Sequence, residues 1–227
     1  MTSLDRFLET FLDPNIAGRY LPDLLLGAVT TIGLGITVVA TGIGLGLILA
    51  SVRSFGWRGI NWPLIVCVDI CRALPPLVII LIVYFGLPNV GIVLPSSIVL
   101  WLSLSAVLAA FSEEVFWAGI TSVPAGQWMA ARSTGLTRSQ ALAFVVLPQA
   151  VRLAVPPLTN RTISVTKNLA LGSAIGVNEI LGRAMSDQAF SFNATPLTIG
   201  AFLYVIIFVP LVLGSRWLER QFAWRRA

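Results

Sequence analysis

Long apolar stretches, separated by short polar or proline-rich segments, dominate the sequence. Leu24–Val52 contains no charged residue and exceeds the roughly 20 residues that a helix needs to cross a bilayer. Ala73–Ser112 is uncharged too, but it is too long for one crossing, and Gly86, Pro88 and Gly91 predict a turn inside it. The pattern predicts an all-α integral membrane protein with about five spans: Leu24–Val52, Asn61–Phe85, about Ile92–Phe111, Ala141–Thr159 and Pro196–Gly214.

The segment 1–23 has a different pattern. Its apolar residues recur at helical spacing among acidic and basic ones, which predicts an amphipathic helix; they are Leu4, Phe7, Leu8, Phe11 and Leu12. Such a helix either lies on a membrane surface or packs against the rest of the chain, and the pattern leaves both open. Pro14 and Pro22 are expected to bracket a loop before the first span.

Composition and charge support a membrane location. Hydrophobic residues make up 56% and charged residues 11% of the chain, with a mean hydropathy of +0.87. The net charge of +5 predicts no nucleic-acid binding, because arginines in membrane proteins gather at the cytoplasmic side. Their positions predict a multi-pass protein of the bacterial cytoplasmic (inner) membrane with an outside N-terminus and a cytoplasmic basic tail at 218–227.

A polar interruption at 122–140 carries its own folding signals. Ser122 is a candidate N-cap with Pro124 in the first turn, and Gly135 is placed to end the helix in a left-handed conformation. Thr137 and Gln140 form a capping-box pattern that starts a second helix. The segment therefore predicts helix, turn, helix, and the small side chains of Ala130 and Ala131 would allow close approach by another protein.

This segment resembles the EAA motif of ABC importer permeases, and its wider sequence resembles the polar amino acid (histidine/glutamine/glutamate-type) subfamily. Ala130–Ala131, Gly135 and Leu147–Pro148 carry the likeness, with Met129 replacing the family's glutamate. The resemblance implies a type I (MetI-like) permease domain over 24–217, whose loop forms a coupling helix that docks on a cytosolic ATPase. The implied coupling residues are Gln127, Met129, Ala130, Ala131, Arg132, Gly135 and Leu136.

Charges next to the second and third spans extend the resemblance. Arg72-Ala-Leu-Pro-Pro, followed by Tyr84-Phe-Gly-Leu-Pro88, is similar to the same subfamily, and a family glutamate matches Glu114. Asp69 and Arg72 share a helical face and are expected to pair, at the membrane interface rather than inside the bundle. Glu113 and Glu114 are expected to close the third span, as a solvated helix end or as a functional pair.

A polar stripe follows the coupling segment. Asn160, Ser164, Lys167 and Asn168 recur at helical spacing in apolar surroundings, and Lys167 is the only lysine in the chain. In the subfamily this stretch lines the translocation path, with aspartate beside the lysine. The resemblance therefore implies that these four residues face the substrate, whereas a structural reading has Lys167 and Asn168 pair with neighbouring helices.

The combined signals predict a transporter subunit rather than an enzyme. The sequence has no histidine and no GxxxxGK[ST] phosphate-binding loop, so we expect no metal site or cofactor here, with ATP and Mg bound by a partner ATPase. The implied partners are cytosolic ABC ATPase subunits, an identical or paralogous second permease and an extracytoplasmic amino-acid-binding protein. An importer for another small solute, an intramembrane enzyme and a passive channel are the alternative functions.

Overall fold

The computed structural model describes residues 2–222, without the side chain of Phe222, and within that range every regular element is helical. The α-helices are α1 (Ser3–Phe11), α2 (Pro14–Arg53), α3 (Arg58–Ala73), α4 (Pro76–Asn89), α5 (Ser96–Ser122), α6 (Ala125–Ser133), α7 (Arg138–Ala141), α8 (Leu147–Lys167), α9 (Ile180–Ser191) and α10 (Thr195–Phe222). A π-helical turn, Leu142–Val146, joins α7 to α8, and a 3₁₀ helix, Asn168–Ile175, continues α8.

The predicted number of membrane spans agrees with these helices. Four helical stretches are long and apolar enough to cross: Ser3–Arg53, Ser96–Ser122, Arg138–Ile175 and Thr195–Gln221. The pair formed by α3 and α4 makes a fifth candidate, broken at Leu74 and Pro75. The break follows from the sequence, since Pro75–Pro76 disfavours helical backbone in the residue before it.

The N-terminal segment is helical on both sides of a short break. Thr2 and Asp5 form a capping box that starts α1, and none of the α1 side chains is buried. The Glu9 and Thr10 carbonyls nevertheless accept hydrogen bonds from Asn193 and Ala194, so both alternatives for this helix stay open. The loop expected between Pro14 and Pro22 is wrong, because α2 begins at Pro14 and contains Pro22. Pro14 suits the first turn of α2, because an N–H group at that position would have no partner within the helix.

The end predicted for the third span is also wrong. We expected Glu113 and Glu114 to close it near Phe111, but α5 continues through both residues to Ser122. Glu113 is fully buried, so it is not part of a solvated helix end. The helix can continue because the carboxylate of Glu113 meets the guanidinium of Arg53 at 2.9 Å, with a second contact at 3.2 Å.

The π-helical turn lies directly before the Leu147–Pro148 pair. The Leu147 N–H bonds to the carbonyl of Leu142, five residues back, and Pro148 has no N–H to continue the regular pattern. Such turns accommodate an interruption without ending a helix. Pro156 and Pro157 also lie inside α8 without ending it. The fourth predicted span, Ala141–Thr159, is therefore much shorter than the observed helical stretch Arg138–Ile175.

The chain groups into two compact units. One comprises the residues up to Val38, Pro76–Leu104 and Thr166–Val212; the other comprises Val39–Pro75, Ser105–Val165 and the residues from Leu213 onward. We call them the first and second units. The predicted basic tail falls partly in the second unit, where residues 218–222 continue α10, while Arg225 and Arg226 lie outside the described residues.

A buried carboxylate organises part of the first unit. Glu179 is fully buried and caps α9, accepting hydrogen bonds from the Leu181 and Gly182 N–H groups at 2.9 and 2.7 Å. The Tyr204 hydroxyl donates a third at 2.6 Å. Burial raises the pKa of Glu179, which these hydrogen bonds counteract. The segment between the candidate spans Arg138–Ile175 and Thr195–Gln221 is thus largely the helix α9, held by its own cap.

The second unit packs α2 closely against α5. At Gly46 an added Cβ would lie 2.4 Å from the Ser112 Cβ and 2.8 Å from the Ala109 carbonyl. Glycine is therefore required for this approach. Beside it, Arg53 pairs with Glu113 and its guanidinium lies 4.6 Å from the centre of the Trp117 ring.

We predict that Glu113→Gln destabilises the protein by about 3–5 kcal/mol, because it leaves the mostly buried Arg53 without its carboxylate. Thermal unfolding in detergent measures the loss. The matched control is Glu114→Gln, whose carboxylate is 44% exposed and should cost much less. Equal shifts for the two variants would contradict a structural role for the Arg53–Glu113 pair. The double variant Arg53→Gln/Glu113→Gln should lose less than the sum of the single changes.

Candidate functional site

The polar segment 122–140 forms the predicted helix, turn and helix. The first helix is α6, but its N-cap is Pro124 rather than Ser122. Ser122 instead ends α5, and its hydroxyl donates to the Ala118 carbonyl at 2.6 Å. The expected cap is wrong because α5 runs further than its apolar pattern indicated.

The turn after α6 is confirmed in detail. Gly135 has φ +90°, a left-handed conformation in which side-chain-bearing residues are strained. Thr137 then caps α7: its hydroxyl accepts from the Gln140 N–H, and the Gln140 side chain accepts from the Thr137 N–H at 2.9 Å. Both ends of the turn are therefore fixed by local sequence.

The two alanines of α6 differ in exposure. Ala130 is exposed, whereas Ala131 is only 6% exposed and packs within its own chain. The expectation that both alanines present a free face is wrong for Ala131, because α6 lies against α7 and the π-helical turn. The exposed members of the predicted coupling set are Gln127, Met129, Ala130, Arg132 and Gly135; Leu136 is half-buried.

A hydrophobic cluster connects this segment to α5 and α8. Its buried members include Phe116 and Ile120 of α5, Leu142 and Val146 of the π-helical turn, and Ala150 of α8. Trp128 of α6 is partly buried and packs against the cluster. Tightly packed side chains therefore join α6 to α8.

Arg72 and Glu114 form a close ion pair in the same unit. Their charged groups are 2.5 Å apart, and Asp69 lies 3.5 Å from the same guanidinium, as its spacing predicted. The Arg72 guanidinium also lies 5.9 Å from the centre of the Phe111 ring. The pair fixes α3 to α5, which is a positioning role.

The predicted polar stripe is only partly brought together. Asn160, Ser164 and Lys167 are exposed on α8, but Asn168 begins the 3₁₀ helix, where the turn is tighter and the face rotates. Asn160 and Ser164 belong to the second unit, and Lys167 and Asn168 belong to the first. The structural alternative for the stripe was that Lys167 and Asn168 pair with a neighbouring helix. Such a pairing is observed at Asn160 instead, whose side-chain amide donates a hydrogen bond to Glu219 of α10 at 3.0 Å.

Two arginines were not identified from the sequence as functional or structural residues. Arg53, at the end of α2, neutralises Glu113. Arg161 lies next to the predicted stripe, with its guanidinium 4.6 Å from the centre of the Phe111 ring. The one available signal was that both arginines border or interrupt apolar helices, where an arginine needs a partner.

This chain matches known proteins in sequence and in structure. Residues 42–224 match the family described as binding-protein-dependent transport system inner membrane component. The chain belongs to this family. The permease is 34% identical over 183 residues to the probable glutamine ABC transporter permease protein GlnM of Bacillus subtilis (strain 168), covering 78% of the permease and 82% of GlnM.

Solved structures agree with the family. A crystal structure of an amino acid ABC transporter with histidines has a TM-score of 0.80 and 28% identity, and the match covers 89% of the permease and 95% of that chain. An inward-facing MetNI methionine ABC transporter has a TM-score of 0.68 at 19% identity, covering 98% and 99%. The expected all-α, MetI-type permease fold is confirmed, and the permease is a membrane-spanning transport subunit served by a separate ATPase.

We predict that Gly135→Pro leaves the permease inserted but abolishes the substrate-stimulated activity of the assembled ATPase. Proline cannot adopt φ +90°, so the change destroys the turn after α6. Ala130→Trp should have the same effect by blocking close approach to the exposed side of α6.

The matched control is Ala118→Trp, which adds the same bulk at an exposed alanine of α5 outside the segment. ATP hydrolysis is measured with and without loaded binding protein after assembly has been verified by gel filtration. Wild-type stimulation in assembled Gly135→Pro and Ala130→Trp complexes would show that the segment does not transmit the signal.

Proposed function

We propose that the permease forms the substrate pathway of an ATP-driven importer for polar amino acids, with its segment 122–140 as the coupling element. One observation carries the proposal: α6 is exposed on one side and joined on the other, through the hydrophobic cluster, to α8. That arrangement suits a lever between a partner and a membrane helix. The identity to a probable glutamine permease supports the amino acid class.

The proposed coupling contact differs from the sequence expectation in one residue. Met129 is 65% exposed, so it can meet the ATPase where relatives of the subfamily carry glutamate. Ala131 instead holds α6 in place from within the permease. ATP and Mg would then be bound by the ATPase, so that the permease itself needs no cofactor.

The proposed assembly contains a second permease, identical or paralogous, two ATPase subunits and an extracytoplasmic amino-acid-binding protein. Alternating access would follow when the ATPase subunits close and move the two α6 helices. The direct test is ATP-dependent uptake of labelled glutamine, glutamate and arginine into proteoliposomes that contain the complete assembly. Absence of uptake for all three, with intact ATP hydrolysis, would favour an importer for another small solute.

The proposed orientation places the N-terminus outside and segment 122–140 in the cytoplasm of a bacterial cell. Ser133 and Ser186 are both exposed, and we predict that cysteines at these positions, without Cys67 and Cys71, label from opposite sides. An impermeant maleimide added to intact spheroplasts should reach only Ser186→Cys, and lysis should expose Ser133→Cys. Labelling of both in intact spheroplasts would overturn the five-span arrangement.

Selectivity gives a further prediction. Asn168 is half-buried and carries no charge, where relatives of the subfamily have aspartate. We predict that Asn168→Asp raises transport of arginine relative to glutamate several-fold, because a carboxylate attracts a cationic substrate side chain. Asn168→Ser is the control, since it changes the side chain without adding charge. An unchanged preference in an assembled Asn168→Asp complex would make Asn168 structural.

A further inference from the structure

Three arginines of the second unit contact aromatic rings of α5, and two of them also meet carboxylates. Arg53 pairs with Glu113 beside Trp117, and Arg72 pairs with Glu114 near Phe111. Arg161 differs. Its guanidinium lies 4.6 Å from the centre of the Phe111 ring, but within residues 2–222 no carboxylate lies within ion-pair distance of it.

The position of Arg161 makes an unpaired charge costly. It lies in the candidate span Arg138–Ile175 and its side chain is exposed in this chain. Arginine in a membrane-spanning helix faces a water-filled cavity or a partner of opposite charge, because burial against lipid would cost several kcal/mol. The exposed charge of Arg161 therefore indicates that this face of α8 borders an aqueous space or binds an anion that enters it.

The cation–π contact with Phe111 positions the guanidinium for such an anion. The guanidinium lies over the aromatic face, which restricts its position, and its N–H groups meet no carboxylate within residues 2–222. Two parallel N–H groups match the two oxygens of a carboxylate, which makes charge-assisted bonds of high specificity. Ser164, three residues later on the same face and also exposed, adds a hydroxyl donor.

No carboxylate on α8 competes with an incoming anion for the guanidinium of Arg161. From Leu147 to Lys167, α8 contains no aspartate or glutamate, and its charged residues are Arg152, Arg161 and Lys167. The carboxylate that does approach α8, Glu219, accepts from the Asn160 amide at 3.0 Å. A substrate with a cationic side chain finds no free carboxylate on this helix, whereas an acidic one finds a cation.

We propose that Arg161, held over Phe111, binds the side-chain carboxylate of the transported molecule and selects an acidic amino acid. The proposal rests on the proposed amino acid importer function and names its substrate class. Selection by Arg161 is additional to any selection by the binding protein. It therefore has to be measured on the membrane complex alone.

The test is equilibrium binding of labelled glutamate, glutamine and arginine to the complete permease–ATPase complex in nanodiscs, without binding protein. Wild type should bind glutamate at least about tenfold more tightly than glutamine or arginine, the range expected for charge-assisted hydrogen bonds. Arg161→Gln should remove that preference, and Arg161→Lys should keep part of it, since the charge remains but the planar fork is lost. Arg152→Gln is the matched control on the same helix and should leave all three affinities unchanged.

The outcomes separate this inference from the function on which it rests. A wild-type complex that binds the three ligands equally, or an assembled Arg161→Gln complex that retains the preference for glutamate, overturns the role of Arg161 but leaves an amino acid importer in place. A complete assembly that neither binds nor transports any amino acid overturns the proposed function itself. If Arg161→Gln does not assemble, the wild-type preference and Arg161→Lys still decide.

Discussion

Electrostatic neutralisation inside an apolar helical protein is the constraint on which much of the second unit depends. Glu113 lies fully buried in the middle of α5, where an unpaired carboxylate would be strongly disfavoured. Arg53, at the end of α2, supplies the compensating charge and is itself held over Trp117. The close packing of α2 on α5 at Gly46 brings these two groups together, so helix packing and ion pairing support each other.

The segment 122–140 owes its position to a second, apolar set of contacts. Its local shape comes from Gly135 and the Thr137 capping box, but neither feature attaches it to the rest of the permease. Attachment comes from Ala131, Trp128 and the hydrophobic cluster that α5, the π-helical turn and α8 share. The outer side of α6 remains free for another protein. A rigid inner contact and a free outer surface are what a coupling element needs.

The arginines of the second unit differ in whether a carboxylate neutralises them, and this difference distinguishes arginines that hold helices together from one that is available to a ligand. Arg53 and Arg72 are satisfied by glutamates of α5 and fix helices in place. Arg161 lies over Phe111 in the same region but meets no carboxylate of residues 2–222. Identical side chains thus serve different purposes, and the presence or absence of a nearby carboxylate distinguishes them.

The sequence by itself determined the features that depend on neighbours along the chain. Apolar runs of sufficient length indicated the number of spans, Gly135 specified the turn, and Thr137 with Gln140 specified the cap, because each signal is completed by neighbouring residues along the chain. The motif around Ala130 and Pro148 also indicated the family. The tertiary structure alone decided the rest, including the burial of Glu113 and Ala131, the Asn160–Glu219 contact and the unpaired Arg161. Whether a charge is neutralised depends on side chains that lie far away along the chain, 60 residues for Arg53 and Glu113, and no local pattern records them.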